Sequence, residues 1–320
     1  MMDEDQFIKN LCAKLPKASD DLLLGPGDDC AIVKIGKQDM AIAVDQVIAG
    51  KHYFVDTDPE LVGRKLVNRN ISDLAVMPAK PRFALLTLCV NDIDRAEKMT
   101  AAIISTASDY GMHIIGGDTA SSTVEQASLT VLGEMSGPPA KRSNAKAGQL
   151  VYLTGSLGGS FDTGKHLTFQ PRLEQGHWLI DYSQCMIDIS DGLIRDLTRI
   201  ADASQVGIQL DESKVPITKD YQLENAYYDG EDYEILFTVN EDKAQDLEAN
   251  WPFKDCALSC IGKVSGIAEP QVLGKLKAYE HVSIFKLQLG TKRCYAGESK
   301  ILDSQSKPIP NKGWDHLDSE

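Results

Sequence analysis

The chain has 320 residues, of which 42% are hydrophobic and 25% are charged. These proportions are ordinary for a globular protein and supply a core for one large domain or two smaller ones. The formal net charge of −14 argues against a nucleic-acid surface, because no basic stripe is present to neutralise phosphates. A chain this acidic that held phosphate groups would need bound cations to reverse its field locally.

The cysteines and the N-terminal segment indicate a cytoplasmic protein. Seven cysteines are present, with no Cys-x-x-Cys pair and no matching pair of histidines, so we expect reduced thiols rather than a zinc site. The acidic N-terminus lacks the basic and apolar regions of a signal peptide. No run of about 18 apolar residues occurs, so we expect no membrane span.

The first part of the chain predicts a mixture of helices and strands. Pro59 suits the first position of a helix, and Pro78 would stop that helix at about Met77. In chain order, we predict a helix over 5–15, strands over 30–35 and 40–48, a helix over 59–77, a strand over 83–90, a helix over 93–110, and strands over 113–115 and 128–135.

The second part predicts strands that alternate regularly with helices, and Gly137-Pro138-Pro139 is the best candidate for a boundary. We therefore predict an N-terminal domain over residues 1–138 and a C-terminal domain over 139–320. The predicted elements are a strand over 150–154, a glycine-rich turn over 155–159 leading into a helix, a strand over 186–189, a helix over 192–203, strands over 208–210 and 234–239, a helix over 241–250, a strand over 258–264 and an extended tail from 304.

Short acidic clusters are the most informative feature of the sequence. Most of them sit where an apolar run meets Gly, Ser or Asn, which is where strands end and loops begin. Taken singly, each fits a turn, a solvated helix face or a helix N-cap. Together they predict a site for several Mg²⁺ ions that holds polyphosphate, because gathered carboxylates repel one another and hard cations prefer oxygen ligands. The clusters are Gly27-Asp28-Asp29, Asp45, Asn70-Ile-Ser-Asp-Leu74, Gly116-Gly-Asp-Thr119, Asp188-Ile-Ser-Asp-Gly192 and Gly230-Glu-Asp-Tyr-Glu234.

Other nucleotide-binding and catalytic motifs are absent from the sequence. It contains no Walker loop, no GxGxxG after a strand, no protein-kinase catalytic loop and no nucleophile elbow. The glycine-rich stretch Thr154–Ser160 fits a turn between strand and helix better than a phosphate cradle. These observations favour metal-assisted in-line transfer over covalent catalysis.

In their order, these motifs resemble the thiamine-monophosphate kinase family of the aminoimidazole-ribonucleotide-synthetase-like superfamily, with a match from Gly25 to His316. The resemblance implies transfer of the γ-phosphoryl group of ATP to thiamine phosphate, with several Mg²⁺ ions as cofactors. It also implies an α/β (α+β) two-domain synthetase-like fold with a C-terminal α/β domain. The N-terminal mixed sheets of two subunits would pair into a barrel in a homodimer.

The resemblance also assigns site residues. Arg142 would add fixed positive charge beside the transferred group, and Trp314 offers a flat face for stacking on the thiamine rings. The implied metal ligands are Asp29, Asp45, Asp73, Asp118, Asp188 and Asp191, with Asp28 as an additional or supporting ligand. The implied ATP contacts are Gly117, Arg142, Ser190 and Tyr110, and the implied thiamine phosphate contacts are His52, Glu231 and Trp314.

Three departures from the family pattern occur, and two alternatives stay open. One departure is the proline-and-arginine segment, which is shortened here to Gln170-Pro171-Arg172. Ala43-Val44 stands where the family commonly has Ser-Thr, and Asp229 precedes Gly230 where the family has a second glycine. One alternative is a sibling synthetase that uses the same ATP site on another acceptor. The other is a homologue that binds nucleotide without turnover, which the loss of hydroxyls at Ala43-Val44 motivates.

Overall fold

The structure is a computed structural model that describes residues 4–15, 19–266, 301–305, 307, 309 and 310. The chain divides into two compact units. The first consists of Met1–Pro138 together with Gly164–His177, and the second consists of Pro139–Thr163 together with Trp178–Glu320. The short segment Gly164–His177 thus lies with the first unit although it follows residue 138 in the chain.

The first unit is a six-stranded mixed sheet with two long helices. Its strand order is β1-β2-β3-β6-β4-β5, with β4 and β5 parallel and the other neighbours antiparallel. This confirms the predicted mixed sheet. The elements are α1 (Glu4–Cys12), β1 (Leu22–Leu24), β2 (Ala31–Ile35), β3 (Gln38–Ile48), α2 (Pro59–Val76), β4 (Ala79–Val90), α3 (Ile93–Asp109), β5 (His113–Ser121), β6 (Gln126–Met135) and α4 (Lys165–Thr168).

Local sequence signals explain where the two long helices begin. Asp58 caps α2 by accepting a hydrogen bond from the Glu60 N–H (3.0 Å), and Pro59 occupies the first turn. Asp92 caps α3 in the same way, accepting from the Arg95 N–H (3.1 Å). Both helices therefore start where the sequence predicts them.

The strands of the first sheet alternate between a buried and an open face. In β4, Ala84, Leu86 and Leu88 are buried, whereas Phe83 and Leu85 are exposed. The buried face packs with the apolar side chains of α2 and α3 into one hydrophobic core. The other face of the strands carries apolar side chains that remain exposed in a single chain.

The second unit is also built on a six-stranded sheet, in the order β12-β9-β11-β7-β10-β8. Its neighbouring strands are antiparallel except for β12 and β9. The elements, besides two short 3₁₀ turns, are β7 (Leu150–Thr154), α5 (Leu173–Leu179, which begins in the first unit), β8 (Met186–Asp188), α6 (Leu193–Ser204), β9 (Gly207–Leu210), α7 (Leu223–Tyr228), β10 (Ile235–Val239), α8 (Glu241–Asn250), β11 (Leu258–Ser265) and β12 (Ile301–Leu302).

The two strands at one end of this second sheet, β10 and β8, are buried along their whole length. Every residue of β10 and of β8 is buried, as expected for strands covered on both faces. A separate hydrophobic core fills this unit. Across the described residues, no helix combines the length and the apolar character that crossing a bilayer requires.

Several elements differ from the sequence predictions, and among them β1, α5 and β12 were not predicted. β5 runs on to Ser121, so Gly116–Thr119 lies inside a strand and not in the turn that its glycines suggest. The helix predicted directly after residue 159 begins only at Lys165. The short helix α7 was not predicted, because its six residues carry too little periodicity to be recognised.

Candidate active site

The first unit contributes three of the predicted metal ligands, Asp28, Asp29 and Asp73. Asp28 and Asp29 lie in the loop before β2, and Asp73 lies in the last turns of α2; all three are half-buried. One carboxylate oxygen of Asp29 and one of Asp73 come within 4.8 Å of each other. Two carboxylates at this separation suit a divalent cation that takes oxygen ligands.

Asp118 is exposed on the edge strand β5, opposite Thr87 of β4. One of its carboxylate oxygens accepts a hydrogen bond from the Thr119 N–H (2.9 Å). The preceding residue must be glycine, because a Cβ at Gly117 would come 1.8 Å from the carbonyl oxygen of Leu86. The strand thus brings the Gly117 backbone tightly against β4 and leaves the Asp118 carboxylate on the surface.

Asp45 pairs with an arginine. Arg69 of α2 approaches both carboxylate oxygens, through Nε (3.1 Å) and Nη2 (3.3 Å). The Asp45 N–H donates to Asn70 Oδ1 (3.1 Å), so two successive residues of α2 hold this point of β3. The role of Asp45 as a metal ligand stays a prediction.

His52 lies in the loop between β3 and α2. Its side chain is buried, and Nδ1 accepts a hydrogen bond from the Ile48 N–H (3.0 Å). The buried Lys65 ammonium donates to the His52 carbonyl oxygen (2.7 Å). These bonds fix the turn 48–52, and the thiamine phosphate contact expected of His52 stays a prediction.

The next residue of that loop, the buried Tyr53, forms a triad with the partly buried Arg95 and Glu125. The Tyr53 hydroxyl donates to Glu125 (2.9 Å), and Arg95 forms two hydrogen bonds of 2.9 Å to the same carboxylate. Burial and the neighbouring Glu125 raise the pKa of Tyr53 well above its usual value, so the phenol stays a neutral donor. The triad ties the loop to the start of β6, and Arg95 also donates to the Thr57 carbonyl oxygen (3.1 Å).

Tyr110, an expected ATP contact, ends α3. Its hydroxyl donates to Asn68 Oδ1 (3.2 Å), and the Asn68 amide donates to the Phe169 carbonyl oxygen (2.8 Å). Burial raises the pKa of Tyr110 to about 12. The ring therefore helps hold the 164–170 segment, and its contact with ATP stays a prediction.

In the second unit, Asp188 ends β8 and Ser190 follows in the loop before α6. Asp188 is buried and Ser190 is half-buried. The Ser190 carbonyl oxygen accepts from the Glu231 N–H (2.7 Å), and Gly230 approaches so closely that a Cβ there would lie 2.6 Å from the same oxygen. The backbones of the two acidic clusters Asp188–Gly192 and Gly230–Glu234 are thus in direct contact.

Glu231 and Tyr233 adopt left-handed backbone conformations, with φ of 59° and 52°. Such values are costly for residues other than glycine and persist where the surroundings enforce them. Tyr233 is held by a hydrogen bond from its N–H to the Ile189 carbonyl oxygen (2.8 Å). Glu231, an expected substrate contact, is therefore fixed in place and is itself 2% exposed.

Asp191 is bound by a buried charge network. Arg199 of α6 pairs with Asp191 (2.6 Å) and with Asp196 (2.7 Å), and the Asp191 N–H donates to the Asp196 carboxylate (3.2 Å). Burial raises the pKa of Asp196 to about 7, and Asp191 adds to the rise while Arg199 and Arg142 oppose it. Sequence reasoning missed Asp196 and Arg199, although their i,i+3 spacing on a predicted helix was a visible signal.

Arg142 lies in a 3₁₀ turn before β7 and is half-buried. The Ser204 hydroxyl donates to its carbonyl oxygen (2.6 Å), which anchors the turn to the end of α6. The positive charge of Arg142 partly opposes the rise in the pKa of Asp196 that burial causes. Arg142 thus lies among the acidic groups of the second unit.

The glycine-rich turn is held by carboxylates and leaves no cradle for phosphate. The buried Asp232 accepts hydrogen bonds from the Gly158 N–H (3.1 Å) and the Ser160 hydroxyl (2.7 Å). Asp229 accepts from the Gly159 N–H (3.0 Å). Because its N–H groups already bind carboxylates, the turn plays the structural role that the sequence favoured. The departure at Asp229 has a structural explanation, since glycine could not make this bond.

Trp314, the third expected substrate contact, lies outside the described residues, as does the rest of Gly313–His316.

Comparison with protein families places most of the chain in one group of enzymes. Residues 27–135 match the family described as AIR synthase related protein, N-terminal domain, and residues 178–265 match its C-terminal domain. Thiamine-monophosphate kinase of Escherichia coli K12 is 34% identical over 281 residues, which cover 78% of this chain and 86% of the relative. The Bacillus subtilis enzyme of the same name is 29% identical over 310 residues, 86% of this chain and 95% of the relative.

Solved structures share the fold of this chain. The structure of AaThiL complexed with AMPPCP and TMP aligns with a TM-score of 0.78 at 22% identity, covering 99% of this chain and 97% of that one. The thiamine-monophosphate kinase from Stenotrophomonas maltophilia aligns with a TM-score of 0.66 at 26% identity, covering 82% of this chain and 92% of that one.

Proposed function

The chain belongs to the thiamine-monophosphate kinase family, and from that premise we propose that it transfers the terminal phosphoryl group of ATP to thiamine phosphate, giving thiamine diphosphate and ADP. The observation that carries the proposal is the 34% identity to the Escherichia coli enzyme, which extends over 78% of this chain. The acidic residues of both units supply the chemistry that such a transfer needs. The sibling synthetase and the homologue without turnover are the alternatives that an assay must exclude.

The aspartates of both units are the proposed holders of Mg²⁺. The approach of Asp29 to Asp73 within 4.8 Å and the exposure of the Asp118 carboxylate fit a hard cation with oxygen ligands. When bound, Mg²⁺ would neutralise phosphate charge and bring donor and acceptor into line. The proposed ligand set is Asp29, Asp73, Asp118, Asp188 and Asp191, with Asp28 in support.

The other side chains of the site would position ATP and neutralise the negative charge of the transferred phosphoryl group. The acceptor is a phosphate oxygen that is largely deprotonated at neutral pH, so no strong general base is needed. The Arg142 charge would stabilise the negative charge of the transferred group. Gly117 would offer its backbone to the nucleotide, since a side chain there would meet the Leu86 carbonyl oxygen, and Ser190 and Tyr110 complete the proposed ATP contacts.

The proposed thiamine phosphate pocket uses His52, Glu231 and Trp314. The buried Glu231 is held in a strained backbone conformation, which suits a residue that must present one fixed orientation. His52 fixes the turn 48–52, which would present the loop to the substrate. Trp314→Ala is expected to raise the KM for thiamine phosphate more than the KM for ATP; equal effects on both would remove Trp314 from the acceptor pocket.

We further propose that the protein is a homodimer joined through the open face of the first sheet. Val44 of β3 is 63% exposed and Leu85 of β4 is 42% exposed, and both pair with Thr130 of β6 across the same rung of the sheet. Large apolar side chains in register on one open face indicate a surface that another surface covers. The cytoplasmic location expected from the sequence remains part of this proposal.

Light scattering after size exclusion tests the dimer. Leu85→Asp would put a charge into the covered face, so we expect the mass to fall to that of one chain. Val55→Asp is the matched control, because Val55 is 72% exposed in the loop before α2 and lies off the sheet. A Leu85→Asp protein that keeps twice the mass of one chain would place the interface elsewhere.

The activity is tested with purified protein, ATP, Mg²⁺ and thiamine phosphate, following thiamine diphosphate and ADP by chromatography. We expect the two products in equal amounts. The proposed function fails if no thiamine diphosphate forms. Nucleotide binding without turnover of thiamine phosphate would then favour one of the two alternatives.

A further inference from the structure

Arg69 meets both carboxylate oxygens of Asp45, one of the predicted metal ligands of the first unit. The side chain of Arg69 is 6% exposed and that of Asp45 is 29% exposed, with contacts of 3.1 Å and 3.3 Å. A fork of two N–H groups on one carboxylate is the strongest form of such a pair and fixes the orientation of both groups.

On the helix-covered face of β3, the neighbours of Asp45 offer no other oxygen ligand in their side chains. Ala43 and Val47 share with Asp45 the helix-covered face of β3 and are buried, whereas Val44 points to the open face. None of the three side chains contains an oxygen atom. A divalent cation at this point would therefore depend on the Asp45 carboxylate, which already binds a positive charge.

The contacts of α2 hold the pair in place. Asn70, next to Arg69, accepts from the Asp45 N–H (3.1 Å) and donates to the Leu66 carbonyl oxygen (2.9 Å). Lys65 lies one helical turn before Arg69 and is fully buried, with its ammonium on the His52 carbonyl oxygen. A cation entering at Asp45 would meet the positive charge of Arg69 directly, and Arg69 could not withdraw without leaving a buried site.

We propose that in this chain the Arg69 guanidinium takes the place of a divalent cation at Asp45, so that Asp45 is a positioning residue that fixes β3 against α2 and is not a metal ligand. This rests on the proposed function, because it presumes that the other aspartates bind Mg²⁺. It replaces the expectation that Asp45 is a ligand. It also removes the motive for a non-catalytic homologue, since the loss of hydroxyls at residues 43 and 44 accompanies the loss of the metal that they would serve.

Mn²⁺ binding, counted by electron paramagnetic resonance of the full chain with and without a non-hydrolysable ATP analogue, tests the proposal apart from activity. We expect Asp45→Asn to bind as many Mn²⁺ ions as the wild type, with the same affinities. We expect Arg69→Leu to gain one ion, or to bind one ion about tenfold tighter, because the competing charge is gone. The gain must disappear in the Arg69→Leu, Asp45→Asn double variant.

Asp118→Asn is the control, because the proposed function predicts that it loses Mn²⁺. If Asp118→Asn and the wild type bind alike, the proposed metal site fails, and the inference about Asp45 fails with it. If Asp118→Asn loses an ion and Asp45→Asn also loses one, the metal site stands and the Arg69 proposal is overturned. Should Arg69→Leu not fold, the Asp45→Asn measurement alone still decides, because a lost ion contradicts the proposal.

Discussion

The acidic residues of the two units differ in how far they are buried. In the first unit, Asp29 and Asp73 are half-buried and Asp118 is exposed. In the second unit, Asp188, Asp191, Asp196, Glu231, Asp232 and Glu234 are each no more than 4% exposed. Buried carboxylates persist only when N–H groups, hydroxyls or cations compensate them. The first unit therefore leaves carboxylates accessible to solvent, where we propose that they bind Mg²⁺, whereas the second uses several of its carboxylates to hold its own loops.

The largest expected effect is on catalysis, and it concerns an exposed carboxylate of the first unit. Asp118→Asn should lower kcat by about 100-fold and raise the Mg²⁺ concentration needed for half-maximal rate, because it removes a ligand charge. The free energy of unfolding should change by no more than about 0.5 kcal/mol, since the side chain is exposed. Steady-state kinetics across a Mg²⁺ series and urea denaturation measure both quantities.

Asp242→Asn, an exposed carboxylate in the first turn of α8, is the control for the change of charge. Its kinetics should equal those of the wild type. If Asp118→Asn keeps the kinetics of the wild type, the exposed carboxylate is not a ligand, and the division between ligand-binding and loop-holding acids loses its strongest case.

The second prediction concerns a buried carboxylate of the second unit. Asp232→Ala should lower the free energy of unfolding by about 2–3 kcal/mol, because the Gly158 N–H and the Ser160 hydroxyl lose their acceptor in a buried place. Urea denaturation measures the loss. Asp162→Ala, an exposed acid two residues beyond Ser160, should change stability little. Equal losses in the two variants would show that the turn does not need Asp232.

The acidic clusters are visible in the sequence, but the sequence does not show which of these carboxylates form hydrogen bonds or ion pairs within the protein. Strand β7 and the start of α2 were predicted where they lie, because alternation and capping residues are local signals. The pairing of Asp45 with Arg69 joins residues 24 positions apart, and that of Gly158 with Asp232 joins residues 74 apart. No local pattern specifies such partners, because they depend on which strands become neighbours.

The extension of β5 has a similar cause. Gly116 and Gly117 suggest a turn by composition, yet they form the ladder with Leu85 and Leu86 of β4. Glycine is needed at 117 because the backbones of β5 and β4 approach each other closely there. A close approach of this kind, like a turn or a bulge, favours glycine. The exposed placement of Asp118 follows from this pairing and could not be predicted from the motif alone.

A smaller effect tests whether a buried hydrogen bond contributes more to the free energy of unfolding than an exposed one. Tyr53→Phe should lower the free energy of unfolding by about 1 kcal/mol, because the hydroxyl loses its bond to Glu125 while Arg95 keeps that carboxylate compensated. Tyr182→Phe is the matched control, since its hydroxyl bonds to Asp246 (2.8 Å) on the surface of the second unit. The free energy of unfolding should fall less in Tyr182→Phe than in Tyr53→Phe. Equal losses would mean that burial does not set the value of these bonds.

The smallest effect concerns the pH dependence of the first unit. Burial lowers the pKa of His177, while a hydrogen bond to the Ala79 backbone opposes the shift. Its Nε2 has no hydrogen-bond partner among the described residues, so a proton there would be left unsatisfied. In the unfolded chain the imidazole has a pKa of about 6.5 and takes up its proton first, so folded stability falls as the pH drops below that value.

His177→Gln should therefore lose less stability than the wild type between about pH 7 and pH 5.5, by a few tenths of a kcal/mol once solvent screening at this half-buried site is included. Urea denaturation at a series of pH values measures the difference, and His113→Gln, an exposed histidine at the start of β5, is the control. A parallel fall in all three proteins would assign the acid sensitivity to other groups. A steeper fall in His177→Gln would mean that the folded state favours the protonated imidazole, the reverse of what its burial requires.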